Sequence, residues 1–316
     1  MLRSNLVRRV TATVSGAVGT IVVASFVIFA SLSTAPGDPV AQILGAKASD
    51  EARANMRERL GLNDPLLERY WHWLTGALQG DLGTSFTSRQ SVSSLIEPRL
   101  MTTFLLVAMA SVLIITIGIS LGVFGGVSER GRNLVATLVG LGVAVPGFVA
   151  ANLLIGVFAV KLGWFPTFGS GEGLVDRIWH LTLPSIALSI GYGAYVTQLT
   201  SAAVAEEAEK EYVTTARGRG VPSRVILRHH TLRNAALPVL TASGLSVAGL
   251  VAGTVVVEQI FGVDGVGALL IRSISSKDYA VVSAVSMIIV VAFVVATTVI
   301  DLVQAALDPR ERAKAA

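Results

Sequence analysis

The 316 residues contain no cysteine, which excludes disulfides, thiolate metal sites and thiol chemistry. Charge is scarce as well. Only 15% of the residues are Asp, Glu, Lys or Arg, against roughly 25% in an ordinary soluble domain. Signature loops of several enzyme classes are missing. Without G-x-x-x-x-G-K-[ST] the chain does not bind ATP through a P-loop, and neither H-E-x-x-H nor G-x-S-x-G occurs. His229 and His230 are adjacent, so on a helix they point in different directions and make a poor metal pair. No catalytic residue, metal site, cofactor or nucleic-acid partner is expected from this chain. Segments of about ten residues with alternating polarity, the mark of a membrane β-barrel, are also missing.

What the chain has instead is apolar length. It is 52% hydrophobic with a mean hydropathy of +0.67. Its charges cluster, leaving six runs free of Asp, Glu, Lys and Arg: Val10–Gly37, Leu100–Ser128, Asn133–Val160, Ile178–Ala205, Asn234–Val257 and Tyr279–Ile300. About 20 helical residues cross the ~30 Å hydrocarbon core of a bilayer. Lipid offers no partner for backbone polar groups, so each run is expected to be a helix. The fold class read from the sequence is an all-α membrane protein with six transmembrane helices. The basic start followed by an apolar stretch ending Ser33-Thr34-Ala35 resembles a signal peptide. That stretch is about twice the length of a 7–15-residue signal core, so it reads as the first span.

Basic residues set the orientation. One side collects Arg3, Arg8, Arg9, Arg130, Arg132, the six Lys/Arg of 206–234, and Arg310, Arg312 and Lys314. The two short loops opposite hold only Lys161, Arg177, Arg272 and Lys277. The excess marks the cytoplasmic side. The expected plan puts 1–9, 127–133, 206–234 and 303–316 in the cytoplasm. Spans run over 10–32, 100–126, 134–160, 181–205, 235–257 and 279–302, with 33–99, 161–180 and 258–278 outside.

The loop 33–99 is expected to be helical in part. Pro36-Gly37-Asp38-Pro39 and Gly80-Asp81-Leu82-Gly83 read as turns. Ser49 or Asp50 starts a short helix ending near Leu60, with Gly61 as its stop. Pro65 opens a second helix bearing Tyr70, Trp71 and Trp73, suited to the headgroup level. The loop reads either as a cap on the bundle or as a docking surface for an external partner. Gly118, Gly122 and Gly126, and Gly249 and Gly253, recur at the four-residue spacing that lets helices approach closely. Pro146-Gly147 breaks the third span, and Pro184 lies early in the fourth. The runs lack the ionisable groups that proton-coupled carriers place in the membrane. Asn152, Gln198 and Glu258 are the candidates for a polar substrate path. Helix-to-helix hydrogen bonding is the alternative role for the first two, and a charge solvated at the membrane end for Glu258.

The segment Glu206–Asn234 is the largest polar departure between two spans, with six Lys/Arg, four Glu and two His. Glu206–Tyr212 favour a helix, Gly218 and Gly220 end it, and Pro222-Ser223 start another. Ala216 and Gly220 leave a side-chain-poor face, while Arg217, Arg219 and Arg224 offer charge-assisted contacts. By these features alone the segment is a basic loop on anionic lipid or a docking element for a protein.

A resemblance separates the two readings. Glu211-Tyr212-Val213, Thr215-Ala216-Arg217-Gly218-Arg219-Gly220, Arg228-His229, Leu232-Arg233-Asn234-Ala235 and Leu237-Pro238 together resemble the cytoplasmic "EAA" loop of permease subunits in binding-protein-dependent ABC importers. Where the generic loop has Glu-Ala-Ala, this chain reads Thr214-Thr215-Ala216. The resemblance extends over nearly the whole chain. It takes in Pro36-Gly37-Asp38-Pro39, Leu60-Gly61-Leu62-Asn63-Asp64-Pro65-Leu66 and Gly80-Asp81-Leu82-Gly83-Thr84-Ser85. Further along it takes in Glu258-Gln259-Ile260-Phe261, Gly265-Val266-Gly267, Arg272, Asp278-Tyr279 and Leu307-Asp308-Pro309-Arg310. The branch it resembles is the first-permease type of dipeptide and oligopeptide importers, with nickel and glutathione importers close by.

This resemblance implies a type I importer bundle with a cytoplasmic coupling helix. It implies a homologous second permease, two ATPase subunits carrying ATP and Mg²⁺, and an external solute-binding protein, all within lipid. The coupling residues implied are Glu211, Thr215, Ala216, Arg217, Gly218, Arg219 and Gly220. Peptides are the expected cargo, with nickel chelates, glutathione or sugars as alternatives. A stand-alone channel is the competing class.

Overall fold

The computed structural model describes residues 2–35, 39–45, 48–59 and 61–307. The expected turn at Pro36-Gly37-Asp38, the helix end at Leu60 and the closing Asp308-Pro309-Arg310 lie outside the described residues. Among the described residues twelve helices follow one another: α1 Leu2–Ser33, α2 Pro39–Leu44, α3 Asp50–Arg59, α4 Leu66–Leu78, α5 Val92–Val127, α6 Glu129–Ala144, α7 Gly147–Lys161, α8 Gly173–Ala208, α9 Glu211–Gly218, α10 Ser223–Ile260, α11 Val266–Ser275 and α12 Tyr279–Leu307. The described residues form no strand, only an isolated bridge between Thr84 and Ser91.

Local chemistry explains the boundaries. Ser91 Oγ accepts the Ser94 N–H at 3.3 Å and starts α5, and Ser128 Oγ accepts the Gly131 N–H at 3.0 Å and starts α6. Val145 is extended (φ −89°, ψ 112°), as the residue before a proline prefers, so α6 stops there. Together α6 and α7 form a pair bent by 97° at Pro146. Pro98, Pro184 and Pro238 sit inside helices that continue through them. Three π-helical turns, at Ile114–Gly118, Ile155–Lys161 and Leu227–Thr231, widen the ladder within α5, α7 and α10.

Among the described residues, four helices are long and apolar enough to cross a bilayer: α1, α5, α10 and α12. The bent α6–α7 pair makes a fifth if counted as one span. Six were expected. The remaining helix, α8, has 36 residues, but Ser, Thr, Tyr and Gln interrupt its apolar positions. Its location gives the reason. It contacts α5, α6, α7 and α10, and buries Leu181, Leu183, Ala187, Leu188, Val196 and Val204. A helix wrapped by protein does not need an apolar surface on every side. By contrast, α1 leaves Val14, Val18, Val22, Val23 and Val27 exposed and packs chiefly on α12 and α4.

The glycine rows make this packing possible. A Cβ on Gly118 would lie 3.0 Å from Val196, one on Gly122 2.7 Å from Thr200 Cγ2, and one on Gly126 2.6 Å from Val204, so this face of α5 rests directly on α8. Gly249 and Gly253 of α10 meet Tyr192 and Leu188 of α8 in the same way, at 2.8 and 2.9 Å. Lipid tails are as apolar as side chains, so helices gain by close packing rather than by leaving water.

Candidate functional site

At one end of the bundle, α8 and α10 are joined by residues 209–222, which carry the short helix α9. Glu211 sits in its first turn and Arg217 in its last, the order its dipole favours. Gly220 has φ +76°. Its N–H bonds to the Arg217 carbonyl at 3.0 Å, and the Val221 N–H bonds to the Ala216 carbonyl at 3.1 Å. These two bonds close a Schellman cap, which needs the left-handed conformation that glycine adopts freely. Pro222 then caps α10. Val213 is fully buried and anchors α9. Glu211, Thr215, Arg217, Gly218, Arg219 and Gly220 are exposed, and Ala216 is half-buried. The seven sequence-derived coupling residues thus lie on one turn-and-cap unit whose outer face is open.

Tyr212 ties this unit to both long helices. Its hydroxyl donates to the Glu207 carboxylate near the end of α8 and accepts from Asn234 Nδ2 of α10 at 2.8 Å. The His230 ring lies 6.2 Å from the Tyr212 ring. Lys210 Nζ pairs with Glu206 at 2.8 Å. The hydrogen bond from Lys210 holds the Glu206 carboxyl below its ordinary value, and the same bond raises the Lys210 ammonium. Burial, then the bond to Glu207, pushes the Tyr212 phenol up. Sequence reasoning noticed Tyr212 and Asn234 only as parts of a pattern. Their link across 22 positions has no local signal.

The opposite end is held by three acidic residues. Glu258 is completely buried; it accepts from Thr103 Oγ1 at 2.6 Å and from the Ala268 N–H at 3.0 Å at the start of α11. Thr103 also accepts the Val266 N–H at 2.9 Å. A Cβ on Gly267 would stand 2.6 Å from Val255 Cα, so α11 lies against the backbone of α10. Asp264 binds Arg99 at 3.0 Å and Arg272 at 2.5 Å. Burial works against its charge, but the two guanidinium groups hold the Asp264 carboxyl below its ordinary value. Asp278 accepts from Ser85 Oγ at 2.5 Å and from the Phe86 and Thr87 N–H groups, both at 3.2 Å. Residues 85–103 and 258–278 are clasped together by these bonds.

Midway between the ends lies a cleft of about 600 Å³. Phe148 at the α6–α7 bend, Tyr192 and Tyr195 of α8, and Leu245, Ser246 and Val256 of α10 line it, and the described residues of its wall carry no charged side chain. Asn152 is exposed one turn beyond Phe148, its amide donating to the Phe148 carbonyl at 2.7 Å, and Gln198 is exposed about one turn beyond Tyr195. Helical register therefore puts both at the flank of the cleft, whereas Glu258 is sealed in the clasp. The described residues hold no group of three His, Asp or Glu able to bind a metal ion.

Two family profiles match the chain. Residues 114–313 fit the inner membrane component of binding-protein-dependent transport systems, and residues 1–107 fit the N-terminal part of such membrane components. The chain belongs to this family of ABC importer permeases.

Its relatives include a probable peptide ABC transporter permease of Sinorhizobium fredii, 36% identical over 90% of this chain and 93% of the relative. A glutathione transport system permease of Escherichia coli is 35% identical over 95% of this chain and 97% of the relative. Among solved structures, the MetNI methionine ABC transporter in an inward-facing conformation aligns with a TM-score of 0.58 at 16% identity, covering 68% of this chain and 96% of that one. An amino acid ABC transporter aligns at 0.53 and 18% identity, over 67% and 94%. Both show the fold to be the bundle of type I importer permeases. Several residues that carried the resemblance of this permease in its last third, Glu258, Gly265, Gly267, Arg272 and Asp278, turn out to build the clasp. A Cβ on Gly265 would collide with the Glu258 carboxylate.

Proposed function

We propose that this permease moves short peptides inward across the cytoplasmic membrane, driven by ATP hydrolysed on two separate ATPase subunits that grip α9. The observation that supports it best is the Tyr212 tie: an exposed, capped helix fastened to both α8 and α10 transmits a push on α9 to the two helices that wall the cleft. The end bearing α9 is cytoplasmic in this reading, as are both termini, in line with the excess of Lys and Arg there. The clasped end then faces the external solute-binding protein.

A homologous second permease covers the open side of the cleft, and Tyr192, Tyr195, Phe148, Asn152 and Gln198 form this chain's share of the path. An uncharged wall with tyrosine hydroxyls suits peptides of varied side chains, since it builds no charge requirement into the path. Glutathione is itself a tripeptide, so the names of both curated relatives point to this substrate class. Alternating access follows if ATP and the loaded binding protein each favour one of two bundle states.

The test is Thr215→Trp on the exposed face of α9. With the ATPases, second permease and binding protein co-reconstituted, ATP hydrolysis continues, while peptide uptake per ATP falls by about tenfold or more. Unchanged uptake removes the coupling role of α9. Uptake by this chain alone, without ATPases, replaces the reading with a facilitator.

A further inference from the structure

A second cavity, of about 920 Å³, lies between the end of α1, helix α4, the turn 82–89 and the start of α12. Its size falls within the ~300–1,000 Å³ of small-molecule sites. Two walls fix its depth. Phe29, Leu32 and Ser33 end the apolar run of α1, and Tyr279 and Ala280 begin that of α12. Two span ends at one level put the cavity at the headgroup layer of the bilayer. Helix α4 agrees. Tyr70 is buried on α1, its hydroxyl 2.7 Å from Ser25 Oγ and its ring 5.2 Å from Phe26, while Leu67 and Trp71 on α4 are 68% and 62% exposed. Trp and Leu facing outward at this depth meet lipid.

The charge in the cavity has one dominant sign. Among the described residues of its wall, Arg69 and Arg89, together with Arg57, stand against one carboxylate, that of Asp64. Neither Arg69 nor Arg89 forms an ion pair with any described residue. Arg69 lies over the Phe29 ring at 5.9 Å. Arg89 has φ +59°, unusual for a residue with a side chain. It is held there by its N–H bonded to the Ser85 carbonyl at 3.0 Å, with Ser85 itself fixed by Asp278. Non-glycine residues in this region persist only where surrounding structure enforces them, and they cluster at ligand sites.

We propose that this cavity binds the headgroup of an anionic phospholipid, with Arg69 and Arg89 on the phosphate and Phe29 and Trp73 along the start of the acyl chains. The site is separate from the cleft and from α9. The full-length chain in mild detergent, titrated with phosphatidylglycerol or phosphatidylcholine of matched chains, tests it by native mass spectrometry. The wild type retains phosphatidylglycerol at about tenfold lower lipid concentration than phosphatidylcholine. The pair Arg69→Gln/Arg89→Gln erases that preference without lowering phosphatidylcholine retention, and Arg69→Lys/Arg89→Lys keeps most of it. Equal retention of the two lipids by the wild type, or an unaltered preference in the glutamine pair, overturns the proposal. So does displacement of phosphatidylglycerol by equimolar inorganic phosphate or by a free peptide, since the ligand is then a soluble anion. If the glutamine pair fails to fold, a photoreactive phosphatidylglycerol decides on the wild type. Labels within 69–89 or 279–283 support the site, and labels only elsewhere refute it.

Discussion

Thr103 shows how much one side chain carries in this chain. Its hydroxyl donates to Glu258 and accepts from the Val266 N–H, so it serves a buried carboxylate and an incoming backbone at once. Thr103→Val keeps the shape and leaves both groups short of a partner, at about 1–3 kcal/mol each. A lower unfolding temperature in detergent is expected, with Thr103→Ser close to wild type; equal stability of the valine variant contradicts the assignment. Asp264 gives the clasp a pH dependence. Its carboxyl is held below the ordinary value of 3.8, so its contribution is fully present above that pH and is lost as pH falls through the lowered value. Unfolding temperatures measured from about pH 5 down to about pH 2 therefore fall more steeply toward acid in wild type than in Asp264→Asn. Gly220 acts through its backbone. A Cβ there meets nothing within 4 Å, so Gly220→Ala costs only conformational strain, about 1 kcal/mol at φ +76°. Faster hydrogen exchange confined to 211–221 is the expected sign.

Between elements, the tightest dependence is the seat of α5 on α8. Gly122→Val forces a branched side chain against Thr200, and overpacking of this kind costs about 1–3 kcal/mol. Thermal unfolding of the purified chain measures it, and Gly16→Val on α1, where a Cβ meets nothing within 4 Å, is the neutral control. These rows were legible as spacing alone, because a four-residue repeat of glycine has one common physical use. The stops at Gly61 and Gly220, the helix start at Pro65 and the break at Pro146 were legible for the same reason: each is local chemistry. The run that became α8 was legible as an apolar stretch, but its central place was not: that α5, α6, α7 and α10 all pack on it has no local signal. Glu258 was equally opaque. A carboxylate next to a span suggests a solvated end or a path. Its burial depends on Thr103 and Ala268, and no periodicity in the sequence joins those positions.

At the scale of the whole molecule, the two ends of the bundle are built differently. The end with the clasp is cross-linked by charge and hydrogen bonds from four segments, including the 2.7 Å bond from the Asp264 N–H to Ser170 Oγ. The end with α9 holds its helix by Tyr212, Val213 and the cap at Gly220, with a polar outer face left free. The proposed alternating access uses this difference, with the clasped end as the fixed part and α9 as the grip. The absence of cysteine makes the grip directly measurable, since one engineered thiol is then unique in the chain. Thr215→Cys in native membranes, treated with a thiol cross-linker of short reach, is the most direct measurement. The account predicts a single adduct with an ATPase subunit, its yield changing when ATP is added. Labelling of that thiol only by impermeant reagents from the external side, with no ATPase adduct, contradicts it.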